Sequence, residues 1–170
     1  LSQHIISAPV GPLGQNTNIA TANATCVALP TNQPIDPLRN AGDRMRVDNQ
    51  ELPFHPLYSY AYIVDAVEGL ILTDVRTLAD REPRNNFLRR ALTWNPDGVL
   101  TGARHLTIAG TNIYIATPRE VVVVSVDQPL QPRLLARIPM PDPRATGLQF
   151  RYLFVTTARG LEVVDVTHPD

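Results

Sequence analysis

The chain has 170 residues, a formal net charge of −1 and enough apolar residues to build the core of one globular domain. Its near-neutral charge argues against a nucleic-acid surface or a polybasic membrane anchor, because both need an excess of positive charge. All fifteen basic residues are Arg, and the lack of Lys excludes a Schiff base, a Lys nucleophile and a phosphate loop of the GKS/T type.

Cysteine usage and hydropathy exclude further classes of protein. Cys26 is the only cysteine, so the chain cannot form an internal disulfide or a Cys-based metal cluster. It has no C-x-x-C-H motif for covalent haem. No apolar run approaches the roughly 18 residues that indicate a membrane-spanning helix, so no membrane span is predicted.

Residues 1 to 50 are rich in Pro, Asn, Thr and Ala and show no sustained period of 2 or 3.6. This composition predicts an extended, largely irregular arm that donates strands poorly, because proline cannot donate a ladder hydrogen bond. Its one motif is the sequon Asn23-Ala24-Thr25, which is a glycosylation site only in a secreted eukaryotic chain.

Residues 51 to 170 contain three similar segments, beginning at Tyr60, Asn112 and Tyr152. Each has an aromatic in a short β-rich run, then a turn, then a nearly continuous apolar run (LILTDV, VVVVSV, LEVVDV). A continuous apolar run predicts a strand whose two faces are both covered. The spacing of about 40 to 50 residues is that of a propeller blade with four strands.

The segments ARHLTIAG and ATGLQF are predicted innermost strands, and RRALTW and RLLARI are predicted fourth strands. No helix is credible, because the best candidate contains Pro83 and two consecutive Asn. The predicted fold is therefore all-β: a partial β-propeller with two complete four-stranded blades and most of a third. The predicted blades are residues 51–97, 98–140 and the incomplete 141–170.

The unit GLEVVDVTHPD resembles the LVIVD-repeat proteins, whose repeat reads roughly aromatic-Val/Ile-Ala-x-Gly-Leu-x-Val-Val-Asp-Val-x-x-Pro. GLILTDVRTLAD is similar to the same unit, and EVVVVSVDQPLQP is more distantly similar, with Glu120 in place of Gly and Ser125 in place of Asp. The resemblance covers roughly residues 58 to 170. It implies a β-propeller in an extracytoplasmic protein, typically of bacteria or archaea, and it implies no catalytic residue.

Several repeat positions are predicted to be structural. Asp74 and Asp165 should end the third strand of their blades and accept backbone N–H groups of the following turn, with Ser125 at the same place. Gly69 and Gly160 should occupy the turn before that strand, where positive φ is needed. The aromatics Tyr62, Tyr114 and Phe154 are expected to pack between blades, and the turn residues Arg76, Arg119 and Arg159 to form a solvated rim.

His55 and His105 are the candidates for chemistry, since both fall just before or within a predicted innermost strand, nearly one repeat apart. Two imidazoles facing an axial channel could bind a transition metal. They make an incomplete set of ligands, because catalytic sites usually supply three from the protein. The alternative is that both are ordinary polar side chains that bind no metal.

The number of predicted blades is the basis of the functional hypotheses. A closed propeller typically needs at least four blades, so the arc should leave an apolar face exposed and the strand edge near Glu162 to Val166 unpaired. Further blades, from the same longer chain or another subunit, are the predicted partners. The favoured function is a non-enzymatic scaffold or interaction module, with the neighbourhood of a redox protein as one setting. The alternative is a piece of a metal-dependent oxidoreductase that uses His55 and His105.

Overall fold

The computed structural model describes residues 18–30, 55–78 and 87–168. Within these ranges eleven strands form three antiparallel sheets, and helix is confined to short 3-10 turns. The prediction of an all-β fold is confirmed. No helix in the described ranges has the length and apolar character needed to cross a membrane.

The first sheet has the order β1-β2-β3-β4, formed by Ala24–Ala28, Tyr60–Asp65, Gly69–Asp74 and Arg89–Trp94. The second has the order β5-β6-β7-β8, formed by His105–Ala109, Asn112–Ala116, Glu120–Ser125 and Arg133–Pro139. The third has three strands in the order β9-β10-β11, formed by Ala145–Gln149, Tyr152–Thr157 and Gly160–Asp165. The 3-10 turns are Pro56–Ser59, Arg76–Leu78 and Pro96–Gly98.

The origin of β1 differs from the prediction. The arm of residues 1 to 50 supplies this strand, which pairs antiparallel with β2 through Ala28 opposite Tyr62 and Ala24 opposite Asp65. The expectation that the arm is a poor strand donor is wrong for Ala24–Ala28, because this segment contains no proline and includes β-branched Thr25 and Val27. The first sheet therefore combines the predicted unit 51–97 with a strand from outside it.

Asp65 joins β1 to the first sheet. Its Oδ1 accepts the N–H groups of Val67 and Glu68 at 2.7 and 2.8 Å, and its Oδ2 accepts the N–H of Asn23 just before β1. Burial by itself would raise the pKa of Asp65, but these backbone donors hold it below its ordinary value. A single ionised carboxylate thus holds both the β2-β3 turn and the start of β1.

The second sheet lies between the other two, and alternation along its strands divides the core into two clusters. Ile113, Val122 and Val124 pack toward the first sheet, in the cluster that contains Tyr62, Leu70 and Leu72. Tyr114, Val121 and Val123 pack toward the third sheet, in the cluster that contains Leu153 and Val155. Because both faces of the second sheet are covered, every residue of β7 is buried. The prediction that a continuous apolar run indicates a strand covered on both faces is confirmed for β7.

The first strands of the three sheets are neighbours in space. Thr25 of β1 donates its hydroxyl to the carbonyl of Ala103, just before β5, at 2.9 Å. Thr107 of β5 donates to the carbonyl of Thr146 in β9 at 2.8 Å. These side-chain bonds connect adjacent sheets along one line, β1 to β5 to β9.

Candidate functional site

His55 is not in a strand. It precedes the 3-10 turn Pro56–Ser59, and its Nδ1 accepts the backbone N–H of Leu57 at 3.2 Å. Its Nε2 lies 3.5 Å from Oδ1 of Asp127, at the end of the second sheet. Both nitrogens of this buried ring are therefore engaged with protein groups. The prediction places His55 just before or within the first strand of its unit, but the first strand of this sheet is β1, and Pro56 favours a helical turn after His55.

His105 begins β5, as predicted, and faces the third sheet. Its Nδ1 accepts the backbone N–H of Thr146 at 3.2 Å and lies 3.1 Å from the hydroxyl of the same residue. Partial burial lowers the pKa of His105, which favours the neutral ring that this acceptor role requires. His105 thus connects β5 to β9.

The two histidines have unlike surroundings, and the structure gives the metal hypothesis no support from geometry. Across residues 18–30, 55–78 and 87–168, no group of three or more His, Cys, Asp or Glu side chains could hold a metal ion. Asn23, the residue of the sequon, is exposed beside β1, where its backbone is engaged by Asp65 and Ala66.

The three repeat positions share one local geometry. Asp74 Oδ1 accepts the N–H of Arg76 at 3.0 Å, and Asp165 Oδ1 accepts the N–H of Thr167 at 3.0 Å. Ser125 Oγ lies 3.5 Å from the N–H of Asp127 in the same relation. Each side chain accepts from the residue two positions later, which is the geometry of an Asx or Ser turn. These positions shape the exit from the third strand of each sheet.

The two repeat glycines differ in what surrounds them. Both have positive φ, 90° at Gly69 and 117° at Gly160. A Cβ on Gly69 would meet Cβ of Asn95 at 2.6 Å and the carbonyl of Trp94 at 2.8 Å, whereas a Cβ on Gly160 would meet nothing within 4 Å. The end of β4 fills the space beside Gly69, and the matching space beside Gly160 is open.

One face of the third sheet carries exposed apolar side chains. Leu153 and Val155 of this sheet are buried against the second sheet, but Leu161 is 64% exposed and Val163 is 52% exposed. Val163 is paired with Phe154 across the sheet, and Leu161 with Thr156, so these residues share the opposite face. We call this surface, formed by Phe154, Thr156, Leu161 and Val163, the outer face of the third sheet.

Phe150 adds a strained, exposed aromatic to the same sheet. It lies in the β9-β10 turn, is 88% exposed and has a φ of 56°. The corresponding β5-β6 turn has a glycine, Gly110, at φ 61°. A bulky residue in the left-handed region costs free energy that glycine avoids, and such strain tends to be found at functional positions. The sequence motif alone did not indicate Phe150, because only the turn geometry shows the conflict.

Strand β11 is the edge of the third sheet among the described residues. Its register runs from Tyr152 opposite Asp165 to Thr157 opposite Gly160, and no strand from residues 18–30, 55–78 or 87–168 lies on its other side. In the first and second sheets, β4 and β8 occupy the matching edge.

A cleft of about 740 Å³ lies between the end of β4, the β6-β7 turn and β8. Its lining mixes apolar and charged groups, including Trp94, Arg119 and Leu134. Arg137 at this cleft is engaged with Glu120, Nη2 to Oε1 at 2.7 Å. The charged lining is thus partly neutralised, and the cleft shows no convergent set of catalytic groups.

Two comparisons with known proteins found no match. No family model matches the chain, and no match was found among the curated proteins. The resemblance to the LVIVD-repeat proteins therefore stays a prediction, and the candidate site consists of the outer face and the open edge of the third sheet.

Proposed function

We propose that the chain is a non-enzymatic part of an extracytoplasmic β-propeller and serves as a scaffold or protein-interaction module of a larger protein or assembly. Three successive antiparallel sheets pack face to face, and their first strands are neighbours in order, as blades around an axis would be. The compartment is proposed on the resemblance of the repeat unit alone.

The outer face of the third sheet carries this proposal. The equivalent strand of the second sheet, β7, is buried throughout, whereas β11 exposes Leu161 and Val163. Exposed apolar patches with a polar surround typically mark contact sites, and free edge strands promote pairing with other chains. A further sheet packed on this face would bury the patch as the third sheet buries Tyr114, Val121 and Val123.

Sedimentation and dye binding test the proposal. We expect the wild-type chain to bind a hydrophobic dye and to self-associate reversibly, because like faces bury each other when the proper partner is absent. The double variant L161K/V163K should be monomeric and bind at least severalfold less dye. The matched control L130K/V67K makes the same two changes at residues that are 51% and 63% exposed elsewhere, and it should behave as the wild type.

A wild-type chain that is monomeric and binds no more dye than L161K/V163K would contradict the proposal. Equal behaviour of the two double variants would also contradict it, since association would then not depend on the outer face.

A further inference from the structure

The fourth strands of the first two sheets begin alike. Arg89 is the first residue of β4 and is opposite Asp74, and Arg133 is the first residue of β8 and is opposite Ser125. Burial by itself would raise the pKa of Asp74, but the bonds and charge of Arg76, with a smaller contribution from the guanidinium of Arg89, hold it below its ordinary value. Asp165 occupies the matching position of β11.

The same two strands share a β-bulge at their third residue. In β4 the register skips Ala91, between the pairs Thr73–Arg90 and Leu72–Leu92. In β8 it skips Leu135, between Val124–Leu134 and Val123–Ala136. A bulge puts two residues opposite one and increases the local twist, and both fourth strands have it at the same position. The matching step on β11 lies between Val164 and Val163.

Backbone alternation shows which groups of β11 face the open edge. Val166 donates its N–H to the carbonyl of Arg151 at 2.8 Å, so its backbone faces the β10 side. In the second sheet Val126 donates in the same way to Thr111. Since successive residues of a strand point their N–H and C=O groups to opposite sides, Leu161, Val163 and Asp165 present theirs to the open edge.

We infer that the open edge of β11 binds, in trans, an antiparallel polypeptide strand of six or seven residues that begins with Arg opposite Asp165 and has a bulge at its third residue. The inference rests on the proposed function, because it takes the third sheet as a unit completed by a partner. The lengths are those of β4 and β8, with six and seven residues.

Charge favours this occupant over a second copy of β11. The segment Gly160–Asp165 contains two acidic residues, Glu162 and Asp165, and no basic residue. Arg151 Nε already lies 3.3 Å from Oδ2 of Asp165, and no residue of a second Gly160–Asp165 segment would add another cation. An Arg-led strand adds a second cation at Asp165, as Arg89 adds a second one at Asp74 beside its ion-pair partner Arg76.

The test uses the chain's own fourth strand as the probe. A fluorescein-labelled peptide with the sequence of Gln131 to Met140, QPRLLARIPM, is titrated with the full chain, and its anisotropy is measured. We expect saturable one-site binding. The variant V163P should bind at least tenfold more weakly, because proline removes an N–H that faces the open edge. The matched variant V163T retains that N–H and should bind as the wild type.

Two altered peptides and one charge reversal test the specific features. Deleting the residue that corresponds to Leu135 moves the following side chains to the other face, so binding should be lost. A peptide with Arg133→Glu should bind about two- to fivefold more weakly to the wild type, as expected for one cross-strand ion pair. The protein variant D165R should restore binding of that peptide.

Hydrogen exchange provides a readout that does not depend on how V163P folds. The amides of Leu161, Val163 and Asp165 should exchange rapidly in the free chain and become protected on peptide binding. The amide of Val164, which faces β10, should be protected in both states.

Several results would overturn the inference. The first is that no saturable peptide binding is found, or that V163P and V163T bind the peptide equally. The second is that the amides of Leu161, Val163 and Asp165 are not protected by the peptide. The third is that the chain binds no peptide but forms a dimer that V163P abolishes, which would make a second copy of β11 the occupant of the edge. Association through the outer face combined with a failed peptide titration would reject this inference and leave the proposed function standing. Peptide binding by a chain that does not associate through its outer face would support the strand-binding edge and reject the association expected of the outer face.

Discussion

Strands β7 and β11 hold the same place in consecutive sheets and have similar sequences, EVVVVS and GLEVVD, yet their burial differs. All six residues of β7 are buried, whereas β11 alternates between exposed and half-buried residues. The second sheet has a neighbour on each face and β8 along the edge of β7. Within the part of the chain that the structure describes, the third sheet has one such neighbour. A continuous apolar run therefore indicates a strand whose two faces can both be buried, and the neighbouring sheets determine whether they are.

A buried-charge variant should show the largest difference between the two strands. Val123 and Val163 are matching positions, and Val123 is fully buried against the third sheet. We expect V123D to lower the free energy of unfolding by about 3 to 5 kcal/mol, because an uncompensated charge is buried. At a protein concentration low enough to keep the chain monomeric, V163D should change it by less than about 0.5 kcal/mol, as at ordinary surface sites. Urea unfolding followed by the fluorescence of Trp94, the single tryptophan, measures both.

A loss of stability in V163D as large as that in V123D would show that β11 is covered in solution. The contrast between the strands would then be wrong.

The matched glycines should give an intermediate difference. Ala at position 69 has both an unfavourable φ and a clash with the end of β4, so G69A should cost roughly 2 to 4 kcal/mol. G160A has the φ strain alone and should cost about 1 to 2 kcal/mol. Thermal unfolding of the two variants checks the order. Equal losses would mean that the space beside Gly160 is as full as the space beside Gly69.

The smallest expected effect depends on pH and compares Asp65 with Asp165. Asp65 has a lowered pKa in the folded chain, so its stabilisation is present above its ordinary pKa near about 4 and is lost as pH falls through the lower folded value. D65N should cost about 1 to 2 kcal/mol at pH 7 and less at acid pH, because it weakens charge-assisted bonds from three N–H groups.

D165N is the matched control. The hydroxyl and the N–H of Thr167 lower the pKa of Asp165, but this carboxylate is half-exposed and solvent screens it. Its stability curve should therefore follow the wild type more closely than that of D65N at every pH. If the D65N curve runs parallel to the wild type down to acid pH, the carboxylate is not the group that stabilises the turn.

Much of the fold could be predicted because the relevant physics is local. The hairpin of β6 and β7 follows from β-branched runs on either side of a turn, and β4 and β8 were correctly located as strands. The strand β1 was missed because Ala24–Ala28 is short and lies in a Pro-rich arm, and its pairing with β2 depends on a contact distant in sequence. The position of His55 was missed for the same reason, because the first strand of that sheet is formed by Ala24–Ala28 and not by the residues around His55.

The sequence by itself determined the strand periodicity, the turn residues Gly69, Gly160, Asp74 and Asp165, and the apolar surface that each sheet can bury. These features depend on the φ preference, side-chain hydrogen bonding and β-branching of single residues and their near neighbours. Only the tertiary structure decided that His55 and His105 make separate contacts and that β11 has an open face and edge among the described residues. Those outcomes depend on which sheets are adjacent, and adjacency arises from packing between residues far apart in the chain.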